Sequence, residues 1–308
     1  MKSFNRCIFF LSVTMLLFSC SVKRMAMNQI AGMIETGITA FEHDDDMEML
    51  KEAFPPNIKL FEALLANDPE NPRLLVLLSQ LYGCYAFAFF EGELEDLSLI
   101  SDLNPEQQKT VTLLEINVNK YYTKGINYAM RALEARHKGF ERNIKNITTA
   151  DRCIGSISKK DVPALFWYAF NLGAYINQNR TALAAVSNGF VVEKGMRRIL
   201  ELDPSFFYGG AHLFLLSYES RAPILGGNHK TALHHYNELK KIAGNDFLMA
   251  DFFYAKFYLY QLQKRTEFET VLNHIINYQD VDGRYPLFNE VARIRSRTCL
   301  ARMDQLFE

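Results

Sequence analysis

Apolar residues recur every three to four positions along almost the whole of this chain, and alternating runs that would make strands are scarce. That spacing restricts the fold to the all-α class. The clearest punctuation lies in residues 197–242, RRILELDPSFFYGGAHLFLLSYESRAPILGGNHKTALHHYNELKKI. A helix ends at LELDP, Asp203 and Pro204 turn the chain, and an aromatic helix is entered through Gly209-Gly210. A glycine loop and a further amphipathic helix follow. A helix pair of this length cannot cover its own apolar face and must stack on similar pairs, so the sequence predicts stacked helical hairpins.

The stacking unit resembles a degenerate tetratricopeptide repeat of about 34 residues. With Pro69 and Pro204 as its last position, the places eight and five residues earlier hold Phe61 and Leu64, then Met196 and Ile199. The repeat pattern wants an aromatic and an alanine there. Ala232, Tyr236 and Leu239 repeat the spacing, with Gly244 in place of proline.

In chain order, residues 25–41 form a first helix and the acidic turn His43-Asp44-Asp45-Asp46 precedes a second at 47–53. Those carboxylates suit a helix start, where the backbone N–H groups are unpaired, and lack the glycine and distal glutamate of a calcium loop. Phe54-Pro55-Pro56 is expected to break the chain before a helix at 57–67. Residues 73–90 are apolar on more than one face and belong inside the bundle. Glu91–Asp96 reads as an acidic turn in which Glu91, Glu93 and Glu95 are solvated. Helical pattern resumes at 107–137, lapses into a long connection with a short helix at 138–160, and restarts at Asp161-Val162-Pro163 with ALFWYAFNLGAY. A helix over 182–202, the stretch above, a helix pair at FLMADFFYAKFYLYQLQKR and EFETVLNHIINY, and a final helix at 287–307 complete the chain. Arg293, Arg295, Arg297 and Arg302 on that last helix read as a solvated or interface face.

The first residues are a targeting segment. Lys2 and Arg6 precede CIFFLSVTMLLF, a hydrophobic run too short to span a bilayer. Leu17-Phe18-Ser19-Cys20 then resembles the bacterial lipobox, with Phe18 where a small residue is usual. An uncleaved anchor and a plain signal peptide are the other readings. On the lipobox reading residues 1–19 are removed, Cys20 carries acyl chains such as palmitate, and residues 20–308 form a single all-helical domain on a lipid tether. No later run is apolar enough to span a membrane. The mature part keeps 32 Lys and Arg against 35 Asp and Glu, which argues against a sequence-independent grip on nucleic acid. Cys84, Cys153 and Cys299 have no paired spacing and read as buried thiols rather than a disulfide framework.

Longer features carry a more specific resemblance. HDDDMEMLKEAFPPNIKLFEALLANDPENPRLLVLLSQLYGCYAFAF, YAMRALEARHKGF, VPALFWYAFNLGAYIN, LELDPSFFYGGAHLFLLSYESRAPILGGNHKTALHHY and FLMADFFYAKFYLY occur in that order over nearly all the mature chain. Together they resemble the TatT family, the T component of tetratricopeptide-repeat-associated TRAP transporters. The resemblance implies a periplasmic lipoprotein that assembles as a homotrimer, each protomer with a pore through its helical body. It implies as partner the extracytoplasmic substrate-binding protein of a TRAP transporter, and a hydrophobic small molecule as solute. It implies no cofactor.

Three aromatic helices are the candidate walls of such a pore. Tyr168, Leu172 and Tyr175 share one face, with Trp167 and Asn171 beside it; Tyr208 and His212 share another, with Tyr218 on the adjoining face; Tyr254 and Tyr258 align on a third. Stripes at this spacing are also what repeat packing produces, but buried tyrosine hydroxyls need partners and a cavity wall offers them. Gly209-Gly210 suits either close helix packing or an anion at a helix start. Arg221, Gly226, Gly227 and Asn228 form a signature loop in which Asn228 can cap the next helix, while Arg221 either pins the loop or faces a partner.

Enzyme motifs are lacking. His234 and His235 are adjacent and point to different helix faces, so they cannot pair on a metal, and there is neither a nucleophile elbow nor a phosphate-cradling loop. Neither catalysis nor a bound metal is expected. The leading function is a transport accessory; a scaffold lipoprotein that organises an envelope complex without a ligand is the alternative, and an independent lipid carrier a third.

Overall fold

Six helices form the spine of the computed structural model, which describes residues 25–280 and 282–307. The chain opens with α1 (residues 25–42), α2 (Met47–Leu65) and α3 (Pro72–Ala86). A π-helical turn, Phe87–Glu91, leads without a break into α4 (Gly92–Ser98). Then come α5 (Pro105–Arg136), the short α6 (Phe140–Ile144) and α7 (Ile147–Gly155), α8 (Val162–Gln178), α9 (Leu183–Val186) and α10 (Gly189–Leu202). Next are α11 (Phe206–Glu219), α12 (His229–Ala243) and α13 (Leu248–Phe253), which continues through a second π-helical turn, Tyr254–Leu259. The chain closes with α14 (Arg265–Asn277), α15 (Pro286–Ala301) and α16 (Met303–Leu306). Among the described residues there is no strand, as the periodicity requires.

Packing runs along the chain order: α3 lies on α5, α5 on α8, α8 on α10, α10 on α11 and α11 on α12. The core follows this spine through Leu74, Leu78, Phe166, Trp167, Met196, Ile199, Leu215 and Leu239, all buried. Asn171 of α8 sits where three helices meet. A Cβ on Gly125 of α5 would lie 2.4 Å from its Oδ1, and one on Gly83 of α3 2.6 Å from the same atom. The Asn171 amide donates to Ser79 O and Oγ at 3.2 Å, and the Ser79 hydroxyl donates to Gly125 O at 2.8 Å. The two glycines admit the polar side chain, and the bonds from its amide nitrogen offset part of its burial, while Oδ1 is left without a partner.

Helix ends follow the expected chemistry in several places. The Asp46 carboxylate accepts from Met49 N at 2.9 Å, so the acidic turn does cap a helix. Asn104 and Gln107 exchange bonds in a capping box at the head of α5, and Asn228 Oδ1 accepts from Thr231 N at the head of α12.

Three local expectations are corrected. Pro55-Pro56 does not break the chain: α2 passes through both, because they stand on the exposed face, where water can reach the carbonyls left without a partner. Phe54, Ile58 and Phe61 hold both halves of α2 to the core. Glu91–Asp96 is no turn but helix, since nothing after the apolar run interrupts the backbone. The continuous helix Pro72–Ser98 is also long and apolar enough to cross a membrane, against expectation; 67% of its most apolar window is buried by neighbouring helices, which marks an interior helix.

The predicted 182–202 helix divides into α9 and α10, with Ser187 and Asn188 between them. The lipobox and Cys20 lie outside the described residues. The three described cysteines, Cys84, Cys153 and Cys299, are unpaired, and burial pushes each thiol pKa up.

Candidate functional site: aromatic rings over a buried ion cluster

The two π-helical turns are linked through a row of aromatic rings. Each carries phenylalanines: Phe87 in the first, Phe257 in the second with Phe253 just before it. Phe87 lies 6.2 Å from Phe170 of α8 and 6.4 Å from Phe253, centroid to centroid, and Phe253 lies 5.1 Å from Phe257. All four rings are half-buried, and they join in one row contributed by helices far apart in sequence. A π-helical turn widens the helix by one residue and re-aims the side chains around it, and such turns concentrate at functional sites.

Charges lie against these rings. Arg295 of α15 holds its guanidinium 4.7 Å from the Phe87 centroid and 5.4 Å from that of Phe252. It donates to Glu95 Oε2 at 2.6 Å and reaches Glu91 Oε1 at 3.3 Å. Glu91 accepts from the Tyr122 hydroxyl at 2.5 Å, and Lys256 of the second π turn donates to Glu95. At the rim, Arg302 Nε donates to Asp96 at 2.7 Å. Burial alone would push the Glu95 carboxyl up, but the charges of Arg295 and Lys256 outweigh it and hold its pKa at about 2. Burial lowers the guanidinium pKa of Arg295 less than the two carboxylates raise it, so it stays charged.

Glu91 and Arg295 thus correct the sequence reading, which made one a solvated loop residue and the other part of a solvated or interface face. Both are buried, each with a partner of opposite charge. Of the other arginines, Arg297 is exposed and Arg293 half-buried. The missed signal is spacing: Glu91 and Glu95 stand four apart on one helix, and Arg295 lies beside Ala292 and Ser296 on the buried stripe of α15.

The predicted wall residues divide into groups. Trp167, Tyr168 and Asn171 are packed inside, with Trp167 4.7 Å from Phe207 and 5.3 Å from Phe170. Tyr175 is half-buried at the edge of a second apolar cluster built on Val118 and Tyr122. Tyr208 has left-handed backbone geometry (φ 57°), as do Phe207 (47°) and Gly209 (79°). That turn swings the Tyr208 hydroxyl onto Glu42 of α1 at 2.6 Å. The neighbouring Gly210 marks close packing, since a Cβ there would lie 2.6 Å from Phe166 Cζ. His212 meets His235 of α12, Nδ1 to Nδ1, at 2.9 Å.

Tyr218 donates to Glu193 at 2.6 Å, and the Arg221 guanidinium lies 3.6 Å from the Tyr218 ring centroid while its Nε donates to Tyr218 O at 2.7 Å. Arg221 therefore pins its own loop. Gly226 has a positive φ of 84°, and a Cβ on Gly227 would lie 1.9 Å from Arg221 O. Tyr254 and Tyr258 stack at 5.2 Å, and Tyr236 of α12 stacks on Tyr254 at 4.4 Å.

Two cavities adjoin this framework. An open groove of about 820 Å³ separates α1 from the body, lined by Met25, Glu35, Arg73, Val76, Arg136 and Lys160 among others. A smaller one, about 260 Å³, lies between the α4 region and α15, over Gly92 and Arg295. The predicted wall residues line neither. Among the described residues no group of three or more His, Cys, Asp and Glu is placed to hold a metal ion.

The site defines an all-α protein with buried charges set against aromatic rings, and comparison with known proteins gives its family. It matches the TRAP transporter T-component family over residues 43–307, and it belongs to that family. An uncharacterized protein of Treponema pallidum (strain Nichols) is similar, 23% identical over 249 residues, an alignment covering 74% of this chain and 75% of that protein.

Proposed function

We propose that the protein is a periplasmic, lipid-anchored accessory of a TRAP-type transporter. It associates with the extracytoplasmic substrate-binding protein, assembles as a homotrimer, and passes a hydrophobic small molecule through an aromatic-lined channel. The observation that carries this reading is the half-buried row of Phe170, Phe87, Phe253 and Phe257, drawn from three separated parts of a chain in the T-component family. Apolar bodies around a few fixed charges suit a ligand that is mostly hydrophobic. Cryptic tetratricopeptide-like repeats would supply the concave stacking, and Tyr254 and Tyr258 in the second π turn would extend the wall.

Co-purification with the substrate-binding protein, with sedimentation to fix stoichiometry, tests the association. A fluorescent hydrophobic probe tests the passage: its binding is expected to fall on Tyr254→Ala or Phe253→Ala. Binding unchanged in both variants would end the channel reading.

The scaffold reading has an observation of its own. Trp167, Tyr168 and Asn171 are consumed by packing, and the groove beside α1 can take a partner segment. A stable complex that binds no hydrophobic probe would favour it.

A further inference from the structure

The end of the helical stack that carries α1's first residues differs in charge from the rest. Residues 131–161 hold eight Lys and Arg against four Asp and Glu, in a chain whose mature part is acidic overall. All eight, Arg131, Arg136, Lys138, Arg142, Lys145, Arg152, Lys159 and Lys160, are exposed, while Asp161 is buried beneath Arg136 at 3.2 Å. The groove beside α1 locates this segment, because Met25 and Asn28 line it together with Arg73, Arg136 and Lys160. Large apolar side chains stand out nearby along the chain: Met25 is 60% exposed, Met33 75% and Ile147, the first residue of α7, 66%. Basic residues interleaved with exposed apolar ones are the composition of an interfacial membrane contact.

We propose that this end of the stack is a second membrane contact, docking on the anionic phospholipid headgroups of the bilayer that holds the tether. The proposal rests on lipid attachment at Cys20. Five chain steps lead from Cys20 to Met25, at most about 18 Å when fully extended. A tether that short holds Met25, and with it the groove that Arg136 and Lys160 also line, close to the headgroup layer. Lys138, Arg142 and Lys160 supply the attraction, and Ile147 and Met33 the apolar contact. An acyl anchor joined to a basic patch holds more firmly than either alone, and it also sets the tilt of the body on the membrane.

The test is amide hydrogen exchange of the mature lipidated protein on phosphatidylcholine vesicles, compared with vesicles containing about 30% phosphatidylglycerol. Exchange across residues 138–148 is expected to slow roughly tenfold on the anionic vesicles only, and to recover at about 0.5 M salt. The triple charge reversal Lys138→Glu, Arg142→Glu, Lys160→Glu should abolish that protection while exchange in α3, α5 and α8 stays as it was, which shows the fold intact. Equal exchange on both vesicle types, or protection that appears only when the substrate-binding protein is added, would overturn the proposal. A protein that fails to float with phosphatidylcholine vesicles would refute the anchor instead. Flotation of that unanchored protein with the anionic vesicles, with and without the triple reversal, then reads the docking directly, and failure to float would overturn it.

Discussion

Arg295 and Glu95 stand 200 positions apart in the sequence, yet the guanidinium Nη2 and the carboxylate Oε2 are 2.6 Å apart. With Arg302 on Asp96 and Lys256 on Glu95, this pair joins the last third of the chain to the first. The helical stack is thereby closed on itself through charges, not only through apolar packing.

Removing one partner of that closure should be costly. Arg295→Met leaves Glu91 and Glu95 facing a buried apolar side chain, and the expected loss in urea denaturation is about 3–5 kcal/mol. Adding Glu95→Gln should recover part of it, giving a coupling of about 1–3 kcal/mol. Strict additivity of the two changes would show that the pair does not act as a unit.

Acid should weaken the fold in two stages. Burial outweighs every other influence on His235 and lowers its pKa to about 4, with His212, His234 and Arg197 adding to the effect and Glu238 opposing it; burial lowers His212 too. The unfolded chain therefore takes up these protons first, so stability is complete above about 6.5 and drains as the pH falls toward 4. Glu95, held at about 2, gives a second loss between its ordinary value and that point. In His235→Phe the slope of the urea midpoint against pH between 6.5 and 4 should flatten; an unchanged slope would remove the histidine pair from the account.

Gly125 should resist the smallest enlargement. Its added Cβ would crowd the Asn171 amide at 2.4 Å, so Gly125→Ala is expected to cost roughly 1–3 kcal/mol despite alanine's better helix propensity. In an Asn171→Ala background the same change should be neutral, or stabilising by up to about 1 kcal/mol. Equal penalties in both backgrounds would place the crowding elsewhere.

Tyr208→Phe tests how α1 is held. The lost hydroxyl leaves Glu42 without its 2.6 Å donor, and burial has already raised that carboxyl's pKa. Exchange of the α1 amides should quicken about fivefold, the effect of roughly 1 kcal/mol, while α8 is unaffected.

The all-α fold was legible because helical periodicity is local, and so were caps such as Asp46 and Asn228, whose partners lie three residues away. The site was less so. Trp167 and Asn171 look like wall residues from one helix alone; only the neighbouring glycines on α3 and α5, distant in sequence, show that the space around Asn171 is filled. Glu91 misled in the opposite direction. A carboxylate after an apolar run suggests a helix end, and the buried arginine that keeps it inside comes from the other end of the chain. Pro55 and Pro56 were misread because the cost of proline depends on which face it occupies, and a single helix does not reveal its faces.

The turn at Phe87–Glu91 works as a phase slip. An ordinary helix advances about 100° per residue, but the wider turn absorbs one extra position, so residues beyond it face as if one fewer separated them from α3. Straightening the turn into ordinary helix with all its residues kept would advance everything beyond it by about 100° and turn Glu95 away from α15, while every apolar partner of α3 stayed in place. The chain would then keep its spine and lose the charged seam that fastens its last helices to its first third.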